Sequence, residues 1–462
     1  MIITMPFPID KNVLLKYDVP GPRYTSYPTA PAWSQEVTSE IYLQKLRDFG
    51  RSCKTLSLYI HIPFCQSLCA YCGCNVLVRK KEDKFADEYL TYLFQEIYLT
   101  ARYLGERKKV LQLHLGGGTP TFLSEDHLER ILGKIREHFD LDVHAEIAIE
   151  ADVRTTDQNK IQKIRGLGFN RVSLGVQDFD EKVLQAVHRP QTAAQIEAFY
   201  AQCRRLAFDS INFDLIYGLP HQSVESFRRT VDHVIALKPD RIALYSFAYI
   251  PWLKKHQSKI DPTALPSSET KMDIFLHARE MFLQGGYQAI AMDHFALAGD
   301  ELAKAFRQNT LYRNFMGYTV KPADEYIGFG LTAIGFLENT FVQNHKTLAE
   351  YFGALSAGHL PVERGKVLTR DDQIRQWVIH ALMCHFRIEK AEFSKKFSVS
   401  FDEYFKTEHD HLNHCAEDGL IRLEPEGITA TGLGKIFIRN VCMGFDAYLK
   451  GKAGNQRFSR TV

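Results

Sequence analysis

The stretch YIHIPFCQSLCAYCGC, residues 59–74, leads from an apolar, strand-like run into a loop with three closely spaced cysteines. The cysteines are Cys65, Cys69 and Cys72, in the spacing C-x3-C-x2-C. Three thiolates on one short loop can hold three irons of a [4Fe–4S] cube and leave the fourth iron open to a small molecule. Because clusters that only carry electrons usually have four cysteine ligands, this spacing indicates chemistry at the open iron.

Zinc is the main alternative to an iron–sulfur cluster, because closely spaced cysteines often form tetrahedral zinc sites. Such sites usually draw on two separated cysteine pairs, and this chain has no second pair. A disulfide scaffold is less favoured, because the other cysteines are scattered singly. These are Cys53, Cys203, Cys384, Cys415 and Cys442. Cys74 lies two residues past the third ligand, too close to reach the open iron without displacing the substrate, so we interpret it as an active-site thiol and not a fourth ligand.

The composition fits an intracellular enzyme. The chain has 462 residues, 45% of them hydrophobic, which is enough for one large core and a smaller module. Its 57 basic and 55 acidic residues give a net charge of +2, so no attraction to nucleic acid or membrane is expected. We find no secretory signal pattern and no apolar run of the ~20 residues that span a bilayer. The expected location is the cytoplasm, where thiols stay reduced.

Apolar runs and helical stripes alternate along the first half of the chain. Six runs predict strands, at 56–62, 110–115, 146–151, 171–177, 211–217 and 241–247. Residues at helical spacing separate them, and Ser124 is placed to cap one of these helices. Such alternation predicts an α/β fold with a parallel sheet and right-handed crossovers. Six units suit a partial (β/α)6 barrel, although periodicity alone does not separate it from an open doubly wound sheet.

Polar residues follow the predicted strands at the edge where parallel sheets place their chemistry. The second strand runs into Gly116-Gly117-Gly118-Thr119, where glycines allow close backbone approach and leave N–H and C=O groups free to bind a ligand. Four further polar residues lie at or after later strands: Glu150, Gln177, Arg189 and Asp214. Taken singly, each fits a helix cap or loop contact, but their repetition along one rim favours a binding site.

Two sets of motifs carry a resemblance to known families. Tyr71, just before the third cysteine, completes the CxxxCxΦC pattern of radical S-adenosylmethionine (SAM) enzymes. From about Tyr17 to Ser459 the chain also resembles the oxygen-independent coproporphyrinogen III oxidases. The segments that carry this second resemblance are 20–29 (PGPRYTSYPT), 72–75 (CGCN), 215–220 (LIYGLP), 292–295 (MDHF) and 313–315 (RNF).

The resemblance implies a site, two cofactors and a reaction. Cys65, Cys69 and Cys72 would bind a [4Fe–4S] cluster, and two SAM molecules would be held. The implied SAM-site residues are Tyr59, Tyr71, Gly117, Gly118, Thr119, Glu150, Gln177, Arg189, Asp214, Ala248 and Ile334. We predict catalytic roles for Cys74, Tyr59 and Glu150. A 5′-deoxyadenosyl radical would convert two propionates of coproporphyrinogen III to vinyl groups, giving protoporphyrinogen IX in heme biosynthesis.

Two positions depart from the pattern expected of that family. Val153 stands where a proline is common, and Tyr249 stands where a histidine is usual. These changes concern substrate placement more than the cluster. Four substrate propionates need cationic partners, for which Arg23 and Arg313 are candidates, although each also fits an ordinary surface arginine.

The organisation is predicted as an N-terminal arm or lid at 1–50, a catalytic barrel at 51–354, and a mainly helical, winged-helix-like region at 355–462. The arm shows no periodicity. In the last region we expect a helix capped by Thr369 and Asp372, a helix at 401–415 and a hairpin at 419–429. Mixed charges there argue against DNA binding. The expected partners are coproporphyrinogen III, an electron donor and an electron acceptor, with the protein itself a monomer.

Two other functional classes stay open. Some proteins of similar sequence are heme-binding chaperones, and a radical SAM methyltransferase that opens heme is built on the same barrel. The chaperones tend to lack a cysteine at the position of Cys74 and the N-terminal arm, and this chain has both.

Overall fold

The strands and helices predicted from the sequence alternate in the computed structural model, which describes residues 11–80, 83–320, 323, 325–449 and 458–461. The first ten residues of the predicted arm lie outside this range. The elements up to the sixth predicted strand are α1 (Lys11–Tyr17), α2 (Ser39–Gly50), β1 (Leu56–Ile62), β2 (Phe64–Cys65), β3 (Leu77–Val78), α3 (Asp83–Leu104), β4 (Lys109–Gly117), α4 (Glu125–His138), β5 (Asp140–Ala151), α5 (Gln158–Gly166), β6 (Arg171–Gln177), α6 (Glu181–Ala186), α7 (Ala193–Arg205), β7 (Ser210–Tyr217), α8 (Val224–Leu237) and β8 (Arg241–Ser246).

The remaining elements extend the sheet and then form the C-terminal region. They are α9 (Ser268–Gln284), β9 (Tyr287–Ile290), β10 (His294–Leu297), α10 (Glu301–Arg307), β11 (Tyr312–Asn314), β12 (Gly317–Thr319), β13 (Glu325–Phe329), β14 (Ile334–Leu337), β15 (Thr340–Asn344), α11 (Leu348–Ser356), β16 (Val362–Val367), α12 (Arg370–His385), β17 (Arg387–Glu389), α13 (Lys390–Phe397), α14 (Phe401–Tyr404), α15 (His409–Glu417), β18 (Ile421–Glu424), β19 (Gly427–Ala430), α16 (Gly432–Ile436) and α17 (Ile438–Met443).

The central sheet is parallel, which confirms the predicted fold class. Strands β1, β4, β5, β6, β7 and β8 are neighbours in that order and pair in parallel. Leu56, Leu58, Ile60 and Ile62 on one face of β1 have no exposed surface, and Ser57 and His61 on the other face are also buried, as expected for a strand covered on both faces. Helices lie between successive strands, and the Ser124 side chain caps α4 by accepting from the His127 N–H.

The sheet is larger than the six predicted strands. In the described residues twelve strands form it, because β13 pairs in parallel with β1 at one side and antiparallel strands follow on both sides. Strands β14, β15 and β16 extend it beyond β13, and β10 and β9 extend it beyond β8. The order therefore runs from β16 to β9 as a partial barrel with the carboxyl ends of its parallel strands at one rim.

The arm is more regular than predicted. Helix α2 begins after Thr38, whose side chain accepts from the Ile41 N–H, and it buries Tyr42, Leu46 and Phe49 against the barrel. The expectation of no periodicity was therefore wrong, because these residues recur at helical spacing. The residues around Gly21, which follow α1, contact the C-terminal region rather than solvent. The Gly21 N–H donates to the Ser459 carbonyl at 3.0 Å.

The C-terminal region is mainly helical, as predicted, with corrections in detail. Thr369 and Asp372 form the expected capping box of α12, and β18 and β19 form the expected hairpin. The single helix predicted at 401–415 is instead α14, a 3-10 turn and α15. The predicted boundary after residue 354 falls inside α11, and β16 beyond it still pairs with the sheet. Among the described helices, none has the length and apolarity needed to cross a membrane.

Candidate active site

The cysteine loop is folded back against the end of β4. Cys65 ends β2, which pairs with β3 on the far side of the loop. Its Sγ lies 3.3 Å from the Thr119 Oγ1, so the first cysteine contacts the segment after the glycines directly. The Cys69 Sγ lies 3.7 Å from nitrogens of both Arg154 and Arg189. The two predicted motifs and a pair of arginines thus meet at one place.

A segment after β8 holds the loop from outside, and no motif in the sequence marks it. Three of its side chains contact loop carbonyl oxygens. The contacts are Lys254 Nζ to Cys74 at 3.1 Å, His256 Nε2 to Cys72 at 2.8 Å and Gln257 Nε2 to Tyr71 at 3.2 Å. Such contacts fix the backbone of the loop, so the cysteines are positioned before any group binds to them.

The glycines allow β1 and β4 to meet closely above the site. Gly117 has φ +112°, and a Cβ there would lie 2.5 Å from the His61 Cε1. A Cβ on Gly118 would lie 2.8 Å from the Phe64 carbonyl oxygen. The expectation that the N–H groups are free was wrong, because those of Gly117, Gly118 and Thr119 donate to Glu150, Ile62 and Phe64. What this segment offers a ligand is carbonyl oxygens and bare backbone surface.

Asp152 binds both arginines beside Cys69. Its Oδ2 lies 2.7 Å from Arg154 and 3.1 Å from Arg189, and all three are largely buried. Burial alone would raise the pKa of Asp152, but the two guanidinium groups outweigh it and lower the pKa to about 2. Because two arginines share one carboxylate, a net positive charge remains next to Cys69. Arg154 was not among the predicted site residues.

Asp214 and Gln177 lie at the rim on neighbouring strands. The Asp214 carboxylate accepts from Ser173 at 2.8 Å and from Asn212 at 2.9 Å, and burial raises its pKa to about 6. Gln177 has φ +67° at the end of β6, next to a register shift in its pairing with β7. A left-handed backbone at a non-glycine residue is strained, and such strain is concentrated at functional sites.

Tyr59 and Glu150 are linked through a histidine. The Glu150 Oε1 lies 3.2 Å from the His114 Nε2, and the His114 ring stacks on Tyr59 with centroids 5.9 Å apart. The Tyr59 hydroxyl lies 3.0 Å from the His61 Nδ1. Tyr59 therefore faces the barrel interior beside Glu150, one layer below the cysteine loop.

The thiols of the loop differ in their acidity. The hydrogen bond from the Cys74 thiol lowers the pKa of Cys72 to about 7, whereas burial raises the pKa of Cys65 to about 11. Thiolates are the metal-binding form of cysteine, so a bound cation must displace the proton of Cys65.

These side chains surround a cavity of about 300 Å³, here called the cluster cavity. It is lined by most of the predicted site residues. They are Cys65, Cys69, Cys72, Cys74, Tyr71, Gly117, Gly118, Thr119, Glu150, Gln177, Arg189 and Asp214. In the part of the chain that the structure describes, no three metal-binding side chains converge on a single-ion site. The cavity has room for a larger group, and its three thiols with adjacent positive charge fit a [4Fe–4S] cluster.

Three predicted residues lie outside that lining. Tyr59 is beneath the cavity, as described above. The Ala248 carbonyl accepts from Gln257 at 3.1 Å, the same amide that binds the Tyr71 carbonyl, so Ala248 is close to the loop. Ile334 lies on β14 and packs with Trp33 and neighbouring aromatic rings, away from the cysteines. The SAM contacts of all three stay predictions.

Comparison with known proteins identifies two family regions. The Radical SAM superfamily matches residues 59–234, which span the cysteine loop, the glycines, Glu150, Gln177, Arg189 and Asp214. The HemN C-terminal domain matches residues 368–437, from the start of α12 to the end of α16. The radical SAM family implies a [4Fe–4S] cluster and SAM, in agreement with the cluster cavity.

Relatives match over nearly the whole chain. The oxygen-independent coproporphyrinogen III oxidases of Escherichia coli (strain K12) and Pseudomonas aeruginosa are each 42% identical, and the match covers 98% of this chain and of each relative. That of Helicobacter pylori (strain J99) is 40% identical over 98% of this chain and 99% of its own.

A solved structure shows the same fold. The radical SAM enzyme coproporphyrinogen III oxidase (HemN) of E. coli has a TM-score of 0.90, with 40% sequence identity, and the match covers 95% of this chain and 99% of that one. Identity, coverage and fold agree with the three cysteines and the glycine segment of the cluster cavity. This chain therefore belongs to the oxygen-independent coproporphyrinogen III oxidases of the radical SAM superfamily.

Proposed function

We propose that this protein converts two propionate side chains of coproporphyrinogen III to vinyl groups, giving protoporphyrinogen IX in heme biosynthesis. The observation that carries the proposal is the match along the full chain to enzymes of that name, with the cluster cavity intact. That match leaves the heme chaperone and the heme-opening methyltransferase unfavoured. The cluster and SAM, when bound, supply a radical that removes a hydrogen atom from the carbon β to a propionate carboxyl, after which CO2 and one electron leave.

The residues of the cluster cavity would hold these groups. We assign Cys65, Cys69 and Cys72 to the cluster. The remaining polar lining residues, above all Glu150 and Asp214, are assigned to SAM. The Gly117 N–H donates to the Glu150 Oε2 at 3.1 Å. The glycine segment beside the cysteine loop therefore orients the Glu150 carboxylate.

Two SAM molecules are part of the proposal. The cluster cavity adjoins a second cavity of about 140 Å³ inside the barrel. The two share lining residues: Glu150, Ser173, Asp214 and Tyr245. A ligand in the inner cavity would contact the same carboxylates as one beside the cluster, which supports the proposal that these residues serve both molecules.

Arg23 is positioned to receive a substrate carboxylate at this mouth. Its guanidinium lies 5.9 Å from the ring centroid of Tyr245, which lines the cluster cavity, and 4.0 Å from Asp293. Asp293 also lies 2.7 Å from His294, which weakens its hold on Arg23. We therefore propose Arg23 as the cationic partner of a reacting propionate, and Arg313 as the cationic partner of a different substrate carboxylate.

The reaction also needs an electron donor to start it and an electron acceptor to finish it. We propose that both are cytoplasmic and that the protein works as a monomer without nucleic acid or membrane. The near-neutral charge, +2 in 462 residues, supports this, since strong attraction to polyanions needs a large positive charge.

The test is anaerobic incubation of the reconstituted protein with SAM, a chemical reductant and coproporphyrinogen III. We expect vinyl-bearing products, released CO2 and cleaved SAM. Retention of heme without turnover would indicate a chaperone, and a methylated tetrapyrrole would indicate a methyltransferase. No vinyl product from protein that holds its cluster and cleaves SAM would refute the proposed function.

A further inference from the structure

A further large cavity, distinct from the cluster cavity and from the inner cavity of the barrel, lies between the arm and the C-terminal region. It has a volume of about 450 Å³ and is bounded by residues 24–27 of the arm, by β11 and by α12. We call it the arm cavity. It shares no lining residue with the cluster cavity, and none of the predicted cluster or SAM residues lines it.

Arg313 is a buried positive charge in the wall of this cavity. The residue is 8% exposed, and its Nε has no hydrogen-bond partner. Its Nη2 donates to the Arg23 carbonyl at 3.3 Å, and the guanidinium lies 4.4 Å from the ring centroid of Tyr318. In the described part of the chain no carboxylate oxygen lies within 4.0 Å of it, and Asp293, the nearest acidic influence, is held by His294 at 2.7 Å.

An arginine in this state is costly unless something else completes its contacts. Burying a charged group is unfavourable unless its contacts are completed, and one carbonyl, one aromatic face and the more distant charge of Asp293 complete only part of them. The other titratable group deep in the cavity does not compete as a cation, because burial lowers the pKa of His380 to about 4. A carboxylate in the cavity would supply the missing partner.

The other residues of the cavity wall indicate the polarity of the ligand. Aromatic rings surround the cavity, among them Tyr326, Phe341 and Trp377, and two exposed cations, Arg370 and Lys396, stand at its edge. A largely apolar molecule with a carboxylate at depth and further carboxylates toward the mouth matches this arrangement. Tetrapyrroles with several propionates have that chemistry.

We propose that the arm cavity binds a propionate-bearing edge of the substrate tetrapyrrole, with Arg313 pairing with one carboxylate. The inference rests on the proposed function. It explains why Arg313 is buried without an acidic partner, and it gives the arm a direct part in substrate binding. Because the cavity is separate from the cluster cavity, the edge held here is one whose propionates do not react.

Binding of coproporphyrin III to cofactor-free protein tests the proposal without enzyme turnover. Trp377 lines the cavity and Trp33 stacks on its lining residue Phe341, so we expect coproporphyrin to quench tryptophan fluorescence and Trp377→Phe to remove part of that quenching. Arg313→Gln should weaken binding about tenfold or more, since it removes a charge-assisted contact. Arg313→Lys, which keeps the charge, should lose less. The tetramethyl ester of coproporphyrin, which has no carboxylate, should bind equally to Arg313→Gln and unmutated protein.

Arg364→Gln is the matched control. Arg364 lies near Trp33, with its guanidinium 6.0 Å from that ring, but it does not line the cavity, so coproporphyrin affinity should be unchanged. A lower unfolding temperature of Arg313→Gln together with full coproporphyrin affinity would assign Arg313 to holding the arm and overturn the proposal.

The outcomes separate this inference from the proposed function. Vinyl formation by the holoenzyme combined with equal coproporphyrin affinity of Arg313→Gln would overturn the inference alone. Arg313-dependent binding without vinyl formation would overturn the function and leave the binding site standing. Undiminished quenching in Trp377→Phe would place the porphyrin elsewhere and overturn the assignment of the cavity.

Discussion

Four cysteines line the cluster cavity, and their contacts differ. Cys65 and Cys69 contact the glycine segment and the arginine pair, which surround the interior of the cavity. Cys72 and Cys74 instead hydrogen-bond to each other, and their carbonyls are held by His256 and Lys254. These contacts do not separate Cys74 from the other three thiols, so its role on the substrate and not on iron stays a prediction.

The cysteine assignment predicts distinct results from four serine variants. Cys65→Ser, Cys69→Ser and Cys72→Ser should each lose the brown colour and bound iron after anaerobic reconstitution. Cys74→Ser should keep both and still cleave SAM, but form little or no protoporphyrinogen. Iron assay, visible absorption and product analysis on the same preparations provide the measurements. Loss of iron in Cys74→Ser would contradict the assignment of Cys74 as a thiol that does not bind iron.

Asp214 predicts a pH dependence of SAM binding. Its pKa is raised to about 6 by burial, so the carboxylate is neutral below that pH in the SAM-free protein. Donors on SAM favour the ionised form, so affinity for SAM should rise as the pH increases through 6 and level off above it. Asp214→Asn should bind more weakly and lose this dependence. Calorimetric titration at pH 5.5 and 7.5 gives the comparison, and an unchanged pH profile in the variant would remove Asp214 from the SAM site.

At the scale of secondary-structure elements, the buried carboxylate of Glu96 joins α3 to three other parts of the fold behind the cysteine loop. Glu96 of α3 accepts from the Asn344 side chain at 2.6 Å, the Gly330 N–H at 2.8 Å and the Tyr351 hydroxyl at 2.5 Å. These residues belong to β15, the turn after β13, and α11. The predicted strands alone would not have shown how α3 is fixed to the extended side of the sheet.

Removing this carboxylate should destabilise the fold. Glu96→Ala leaves three buried donors without a partner, and each such donor costs about 1–3 kcal/mol, so we expect a loss of at least about 3 kcal/mol. Glu96→Gln keeps one acceptor oxygen and should lose less. Urea unfolding of the cofactor-free proteins measures both. Equal stability of the alanine variant and unmutated protein would contradict the role given to these hydrogen bonds.

The sequence predicted strands well where the signal is local. An apolar run that ends in a polar residue marks both the strand and its rim, and β1 and β6 have the predicted bounds. Strand β13 was missed because its partner is distant, with Leu56 opposite Glu325, and its five residues carry no pattern of their own. Helix α2 was missed although Tyr42, Leu46 and Phe49 show helical spacing.

The candidate site divides in the same way. Residues in motifs, such as Cys69 and Gly118, were found because each motif is one short segment. Residues that contact distant parts of the chain were not found, because no local pattern marks them. Lys254, for example, donates to the Cys74 carbonyl, which is 180 residues away in the sequence. The sequence also could not show whether the backbone N–H groups of the glycines are hydrogen-bonded, since this depends on how closely β1 and β4 approach each other.

At the scale of the whole molecule, the arm is fastened to the C-terminal region. Arg439 of α17 is buried and donates to the carbonyls of Gly21 and Pro22, the latter at 2.8 Å. Tyr24 donates to Asp446 at 3.1 Å. These contacts hold residues 21–24 of the arm against the C-terminal region, and the function of the arm as a lid stays a prediction.

Loosening this contact should free the arm without disturbing the cluster. Arg439→Met keeps an apolar side chain of similar length but removes the donors to the arm, so trypsin should cleave after Arg23 faster than in unmutated protein. Iron content should not change, because the cluster cavity lies elsewhere. Arg422→Met, at an arginine whose side chain is 62% exposed, is the matched control. Mass spectrometry of timed digests reports the cleavage, and equal protection of the arm in both variants would show that Arg439 does not hold it.

The contact between the arm and the last described residues has a consequence for synthesis. Gly21 and Val19 pair with Ser459 and Thr461, so these contacts of the arm form only after those residues have left the ribosome. The cysteine loop is completed nearly 400 residues earlier, within the barrel, which can fold as its strands emerge. The cysteine loop is therefore synthesised well before this part of the arm can dock.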